Sequence, residues 1–333
     1  MSASTCQVSK LIVALLGVSV LAGCAPTAFL ITPVSGSRSL EAHIVESESV
    51  LAIKRIALIE VDGQIFNQRS SSLIGPAGDN PVVLFREKLQ HAASDDRVKA
   101  VVLRINSPGG GVTATDMMYA DLQRFRTQTG KPVVAMMLDV AASGGYYLAC
   151  GADEIWAQPT TVTGSIGVIM ILPELSGLMN KLGLAANTIK SGPMKDAGSP
   201  FRPMKDDERA AFQRIIDQMY ERFLAVVREG RPKVPADQLR SIADGRVYLA
   251  QEAMGLGLVD RVGTLEDAIA AAKARAGIAD SKVQVVEYAR PAEYRANYYA
   301  RSGSGAVNMI NVELPTWLTA EGPEFMYLWS PAR

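Results

Sequence analysis

Histidine is scarce in this chain: its 333 residues include two, His43 and His91. Neither lies in a stretch with the features of a catalytic site, so the usual proton acceptor of a nucleophilic serine is missing. If a serine is activated in this protein, a lysine is the natural candidate for its base.

An excess of either charge is also missing. Lys and Arg together number 34, Asp and Glu together number 34, and no run of five like charges occurs. The electrostatic footprint of a nucleic-acid-binding protein is therefore absent, and we expect no nucleic acid partner. With 48% hydrophobic residues the chain can bury a full core. We predict one catalytic domain with an N-terminal anchor and a C-terminal extension.

The N-terminus has the layout of a secretory signal. Its first 23 residues contain one charge, Lys10, followed by an apolar run from Leu11 to Gly23 and then Cys24. The stretch 21–24 resembles the bacterial lipobox, whose cysteine is lipidated and becomes the mature N-terminus. We predict a signal peptide over 1–23 and lipidation at Cys24. Such a protein is exported and held at a membrane of the cell envelope, with its catalytic domain on the periplasmic side.

The alternative is an uncleaved membrane anchor, because residues 11–37 carry no charge and are long enough to span a bilayer. Pro26 and Pro33 interrupt the second half of that stretch, which favours the lipoprotein.

Cysteine is scarce as well. Loss of Cys6 with the signal and acylation of Cys24 leave Cys150 alone, so no intramolecular disulfide is expected.

Beyond the signal, mixed Pro, Ser, Gly and charged residues predict a lipidated tether over 24–53. We place the catalytic domain at 54–276 and a C-terminal extension at 277–333. Short apolar, β-branched runs predict strands at 55–61, 98–105, 132–138, 247–249 and 258–262. Helical spacing predicts helices at 82–93, 115–127, 146–150, 205–229, 250–257 and 265–276. Strands that alternate with helices indicate βαβ units and a largely parallel sheet.

Two glycine-containing turns follow predicted strands. The sequence SPGGG at 107–111 allows backbone amides to approach a ligand closely, and we predict that Gly110 donates half of an oxyanion hole. A tight turn or a phosphate cradle is the alternative. The turn at Ser143 begins the second candidate, where the amide of Gly144 would supply the other donor. For Ser143 itself the alternative is an ordinary helix cap.

Lys195 is the candidate base. A lysine has an ordinary pKa of about 10.4, so it must be buried against apolar groups to act as a base at neutral pH. The neighbouring Asp196 would oppose this, and we predict that its carboxylate points away from the amine. The alternative is a solvated loop lysine.

The sequences SPGGG at 107–111, ASGGYY at 142–147, TGSIGV at 163–168 and KDAGSP at 195–200, in this order, resemble the signal peptide peptidase A family in its short, single-domain form. The resemblance covers about residues 54–275. It implies an α/β spiral of the Clp protease/crotonase type, with a parallel sheet core and flanking helices. It also implies that Ser143 is the nucleophile, that Lys195 is the general base, and that Ser165 positions the lysine amine by a hydrogen bond.

The resemblance further implies a ring-shaped homo-oligomer in which serine and lysine can come from neighbouring subunits. We therefore expect a membrane-tethered serine endopeptidase that cuts extended, apolar peptides such as remnant signal peptides, without a metal or organic cofactor. The substrate would add as a strand beside the 107–111 edge. Two alternatives remain: a crotonase-type acyl-CoA enzyme, which also builds an oxyanion hole from paired amides, and a non-catalytic envelope lipoprotein scaffold.

Overall fold

We describe residues 39–68, 79–290 and 325–329 of a computed structural model of the chain. The described strands are β1 (Glu41–Ser47), β2 (Lys54–Asp62), β3 (Val98–Ser107), β4 (Gly109–Gly111), β5 (Val133–Ala142), β6 (Glu154–Ala157), β7 (Val162–Gly164), β8 (Ile169–Met170), β9 (Val247–Leu249), β10 (Arg261–Val262), β11 (Val283–Ala289) and β12 (Phe325–Leu328). The described helices are α1 (Pro81–Ser94), α2 (Val112–Thr129), α3 (Gly144–Ala149), α4 (Ser176–Leu182), α5 (Asp206–Gly230), α6 (Ala236–Ile242), α7 (Ala250–Gly255) and α8 (Leu265–Arg275).

The main sheet has the strand order β1-β11-β2-β3-β5-β6-β10, and β7 and β9 extend it beside β5. Neighbours from β11 to β10 are parallel, whereas β1 runs antiparallel to β11 and β9 runs antiparallel to β7. A second, antiparallel sheet has the order β4-β12-β8. The mostly parallel sheet was predicted from the alternation of strands and helices, and this part of the prediction is confirmed.

Alternate residues of the central strands face two separate cores. In β2, Ala57 and Ile59 belong to the larger core, while Ile56 and Leu58 belong to the smaller one. Side chains alternate between the faces of a strand, so a run of apolar residues implies that both faces are covered. Helix α8 covers the smaller core, and α1, α2, α3 and α5 contribute buried residues to the larger one.

The main sheet also uses strands on both sides of the predicted catalytic domain, 54–276. The sheet includes β1, which lies within the predicted tether 24–53, and β11, which lies within the predicted extension 277–333. In β11 the apolar residues Val283, Val285 and Val286 carried a strand signal that the sequence reasoning passed over. By contrast, β1 is largely exposed and gave little signal of burial.

The predicted signal peptide and Cys24 lie outside the described residues. Among the helices of the described ranges, none combines the length and apolar character needed to cross a bilayer.

Candidate active site

Ser143 occupies a strained turn between β5 and α3. Its φ is 51°, and its side chain is buried, with 1% exposure of the residue. In the described part of the chain only one other non-glycine residue, Ser165, has a positive φ, of 50°. Positive φ is unfavourable for residues with a Cβ, and such strain is concentrated at functional sites. Ser143 is the N-cap residue of α3, but its side chain makes no capping hydrogen bond, unlike the ordinary helix cap that was the alternative.

The two strained serines lie side by side because their strands are paired. Ala142 of β5 is opposite Gly164 of β7, and the Ser143 amide donates to the Gly164 carbonyl at 2.8 Å. The Ser165 amide in turn donates to the Arg246 carbonyl at 2.7 Å. The structure therefore brings Ser165 next to the candidate nucleophile, 22 positions away in the sequence.

The glycines after Ser143 are required by close backbone approach. A Cβ on Gly145 would lie 2.5 Å from the carbonyl oxygen of Ser107, and one on Gly144 would lie 2.8 Å from the hydroxyl oxygen of Thr115. Real Cβ atoms do not approach other heavy atoms this closely. The SGG sequence thus packs the Ser143 turn directly against the end of β3.

The glycine strand β4 meets the same turn. A Cβ on Gly109 would lie 1.9 Å from the carbonyl oxygen of Tyr327 and 2.5 Å from the amide nitrogen of Gly144. Gly110 is directly opposite Tyr327 in the antiparallel ladder between β4 and β12. The structure therefore brings Gly110 and Gly144, the two predicted oxyanion donors, close to the backbone carbonyl of Tyr327.

Lys195 lies in a different setting. It is exposed, in a series of turns where its amide donates to the Gly192 carbonyl at 3.2 Å. We call residues 167–207 the lysine segment, and none of them is buried. The burial that we predicted for the amine is therefore not supplied by the packing of a single chain.

The carboxylate of Asp196 forms ion pairs with two cations other than Lys195. Arg202 donates to it at 2.8 Å and Lys190 forms a second ion pair with it. Hydrogen bonds from Arg202 and then Lys190 lower the pKa of the Asp196 carboxyl below its ordinary value. Arg202 also bonds Glu208 at the start of α5, which ties the turn of Lys195 to that helix.

Sequence reasoning missed several residues of this site. Thr115 is fully buried, and its hydroxyl has no hydrogen-bond partner among the described residues. Tyr147 belongs to the ASGGYY motif but was given no role, although its ring packs against Phe223 and Tyr327 with centroids 5.0 Å and 5.1 Å away. No local signal in the sequence placed Thr115, Phe223 or Tyr327 at this site, because long-range packing brings them here.

Comparisons with known proteins identify the family of the chain. The profile described as Peptidase family S49 matches residues 126–279, and the one described as Clp protease matches residues 54–161. A protein of Methanocaldococcus jannaschii named "Putative protease MJ0651" is 36% identical over 73% of this chain and 77% of its own length. An Enterococcus faecium protein named "Putative signal peptide peptidase SppA" is 35% identical over 71% of this chain and 67% of its own.

A third relative, named "Serine protease SPPA, chloroplastic", comes from Arabidopsis thaliana. It is 35% identical over 77% of this chain, which corresponds to 37% of the longer plant protein. These relatives favour a peptidase over the acyl-CoA enzyme and the non-catalytic scaffold that the sequence left open. The chain therefore belongs to peptidase family S49 and is a serine peptidase with a Clp protease-like α/β domain, whose substrates are peptides.

Proposed function

We propose that this protein is a membrane-tethered serine endopeptidase that uses Ser143 and Lys195 as a catalytic dyad on extended, largely apolar peptides such as remnant signal peptides. The observation that carries the proposal is the strained, buried turn of Ser143, with Gly144 next to the backbone carbonyl of Tyr327 in strand β12. A serine held rigidly beside an oxyanion donor has the geometry that acyl transfer requires.

In the proposed reaction the Oγ of Ser143 attacks the scissile carbonyl carbon while the Nζ of Lys195 accepts the hydroxyl proton. The amides of Gly110 and Gly144 donate to the resulting oxyanion. Lys195 then gives the proton to the departing amine, which leaves an ester on Ser143. Water hydrolyses that ester by the same proton route, and both side chains return to their starting state. Ser165 orients the amine of Lys195.

The lysine must be uncharged to accept a proton, and desolvation favours the uncharged form. Because Lys195 is exposed in the single chain, we propose that a second copy of the chain covers the lysine segment. Assembly into a homo-oligomeric ring then delivers Lys195 of one subunit to Ser143 of its neighbour.

The surface of the lysine segment supports this assembly. It exposes nine large apolar side chains, and clusters of exposed apolar residues mark interaction sites. These side chains are Ile169, Ile171, Leu175, Leu178, Leu182, Leu184, Ile189, Met194 and Phe201.

Mixed assemblies test the dyad and its division between subunits together. Ser143→Ala and Lys195→Ala chains, carrying different tags, are expressed together and purified through both tags. If each site combines a serine and a lysine from neighbours, about a quarter of the sites in a random ring are intact, although each variant alone is inactive. Turnover of a peptide substrate by the mixed assembly is therefore the expected result.

Doubly tagged assemblies as inactive as their parents would contradict a dyad shared between subunits. A matched control combines Ser143→Ala with Lys181→Ala, an exposed lysine of α4. In that mixture the Lys181→Ala subunits keep both dyad residues, so activity must appear whether or not the dyad is shared. This control shows that the tagging and purification preserve active enzyme.

We also propose that lipid on Cys24 holds the protein at a membrane of the cell envelope, with the peptidase domain on the periplasmic side. The support is the apolar run followed by the LAGC sequence at 21–24. Intact mass spectrometry of protein from membranes is expected to find an acylated N-terminal Cys24 and no residues 1–23. A full-length N-terminus retained in the membrane would favour the uncleaved anchor instead.

A further inference from the structure

Strand β5 is irregular just before the turn that carries the proposed nucleophile. Its pairing with β3 is regular up to Ile105 opposite Met137, but the next pair joins Ser107 to Ala141. One residue of β3 therefore faces three residues of β5, 138–140, two more than a regular ladder requires. We call residues 138–140 the β5 bulge. Bulges disrupt a ladder locally and re-aim the side chains that follow, and they are common next to active sites.

The β5 bulge changes the neighbour of the strand. Before the bulge, residues 134–137 pair with β6, whereas residues 140–142 pair with β7. The two strained serines, Ser143 and Ser165, follow directly on the paired ends of β5 and β7. The place of Ser143 beside Ser165 therefore depends on the conformation of the bulge.

Two side chains bind the backbone groups of the β5 bulge. The side-chain oxygen of Asn106 accepts a hydrogen bond from the amide of Val140 at 3.2 Å. The hydroxyl of Thr161 lies 3.0 Å from the carbonyl oxygen of Met137 and 2.5 Å from that of Leu138, and its proton is shared between them. Backbone groups that a bulge removes from the ladder need such partners, because an unpaired buried group is costly.

A third side chain holds the strand between the bulge and the serine turn. Thr163 of β7 donates its hydroxyl proton to the carbonyl oxygen of Ala141 at 2.7 Å. Thr161 and Thr163 are both fully buried. A buried carbonyl that loses its donor is left unsatisfied, which favours a rearrangement of the backbone around it.

We propose that the three side chains that bind the β5 bulge and its flank are positioning residues of this peptidase: Asn106, Thr161 and Thr163. They act through the backbone of β5, by holding Ser143 in register with the amide of Gly110. The inference rests on the proposed function, because it takes Ser143 as the nucleophile. Misplacing the reacting groups by about 1 Å can lower a rate by about a hundredfold, so a small rearrangement of the bulge is enough to affect catalysis.

Isosteric replacement of Thr161 tests the inference on the full-length enzyme with an unstructured apolar peptide as substrate. Thr161→Val keeps the shape of the side chain but removes the hydroxyl, whereas Thr161→Ser keeps the hydroxyl. We expect Thr161→Val to lower kcat by about tenfold to a hundredfold with KM within about twofold of wild type. Thr161→Ser should keep kcat within about threefold of wild type, because it restores the hydrogen bond. The same pair of substitutions at Thr163 should give the same split.

The matched control is Thr129→Val in α2. It removes a hydroxyl that donates to the carbonyl oxygen of Phe125 at 2.8 Å, away from the β5 bulge. This variant loses a comparable hydrogen bond and should keep the kcat of wild type. An equal fall of kcat in Thr129→Val and Thr161→Val would overturn the positioning role.

The kinetics of labelling Ser143 with a fluorophosphonate separate misplacement from loss of folded enzyme. In Thr161→Val the rate constant of labelling should fall in parallel with kcat/KM while the final extent stays complete. A lowered extent with an unchanged rate constant is the sign of partial unfolding and would overturn the inference. Wild-type enzyme that is not labelled at Ser143 refutes the proposed function itself, which is a different failure.

Asn106→Ala decides the question if Thr161→Val does not fold, because Asn106 is half-buried and lies near the end of β3. The substitution removes the acceptor of the Val140 amide. We expect kcat and the rate constant of labelling to fall by about tenfold, with KM within about twofold of wild type. Wild-type values of kcat and of the labelling rate constant in this variant would overturn the inference.

Discussion

The two halves of the proposed dyad lie in opposite environments. Ser143 is buried in a strained turn fixed by backbone contacts with β3, β4 and β7, whereas no residue of the lysine segment is buried. The packing of one chain therefore forms the turn of the proposed nucleophile and brings the proposed oxyanion donors together, but it leaves the proposed base exposed. We infer that the surroundings of Ser143 form when a single chain folds, whereas those of Lys195 are completed only when chains assemble.

The largest expected effect follows from removing either half. Ser143→Ala and Lys195→Ala should each lower kcat by about 10⁴-fold or more, because members of a catalytic unit act together. The matched control Lys181→Ala removes another exposed lysine from the same segment and should keep wild-type activity. Turnover by Lys195→Ala close to that of the control would contradict the role of the lysine.

Replacing glycine by alanine should change the unfolding free energy by different amounts in the two regions. Gly145→Ala places a Cβ 2.5 Å from the backbone oxygen of Ser107, and we expect it to cost about 3 kcal/mol or more of unfolding free energy and to abolish activity. Gly177→Ala in α4 meets nothing within 4 Å. It should be neutral or stabilise by up to about 1 kcal/mol, because alanine favours helices.

Denaturant unfolding measures both changes. Equal tolerance of alanine at the two positions would contradict the tight packing of the serine turn.

Removing a carboxylate should lower kcat in the lysine segment and stability in the main domain. Asp196→Asn frees the turn of Lys195 from Arg202 and Lys190, and we expect kcat to fall by about tenfold with little change in stability. Because hydrogen bonds lower the pKa of Asp196, it stays ionised well into the acid range. The ratio of wild-type to variant kcat should therefore be flat above about pH 5. A ratio that rises or falls steeply with pH there would contradict this role.

The smallest effect is expected at Asp95, on the main domain. Burial raises the pKa of this carboxyl, but hydrogen bonds from Arg97 and Arg55 outweigh it and lower the pKa to about 2. A lowered folded-state pKa stabilises the fold above the unfolded value near 3.8, and this contribution is lost as pH falls towards 2.

Asp95→Asn should therefore lower the unfolding free energy by about 1 kcal/mol at pH 7, a value reduced for solvent screening, with kcat unchanged. Urea unfolding at a series of pH values should show the difference between wild type and variant shrinking in acid. A difference that grows as pH falls would contradict the assignment.

Much of the fold could be predicted from the sequence because its central strands are buried on both faces. The apolar runs at 55–61, 98–105 and 132–138 needed no tertiary information to be recognised as strands. The exposed strand β1 and the sheet β4-β12-β8 were missed. Their formation depends on pairing between distant segments, which leaves no local periodicity.

The candidate site also has parts that could be predicted from the sequence and parts that could not. The tight turn at Ser143 was predictable because close backbone contact requires glycine, and that requirement is visible as SGG and GGG in the sequence. The contact among the rings of Tyr147, Phe223 and Tyr327 was not predictable, since α3, α5 and β12 meet there only in the folded chain. The burial expected for Lys195 failed within one chain because it was inferred from chemical need, not from apolar neighbours in the sequence.

Active-site labelling tests the account most directly. Wild type and Lys195→Ala are treated with a fluorophosphonate at neutral pH, and the modified residue is mapped by mass spectrometry. The account predicts labelling of Ser143 in the assembled wild type and its loss in Lys195→Ala, because the hydroxyl reacts only when a neutral amine accepts its proton. Labelling of another residue, or equal labelling of Ser143 in both proteins, would contradict the dyad.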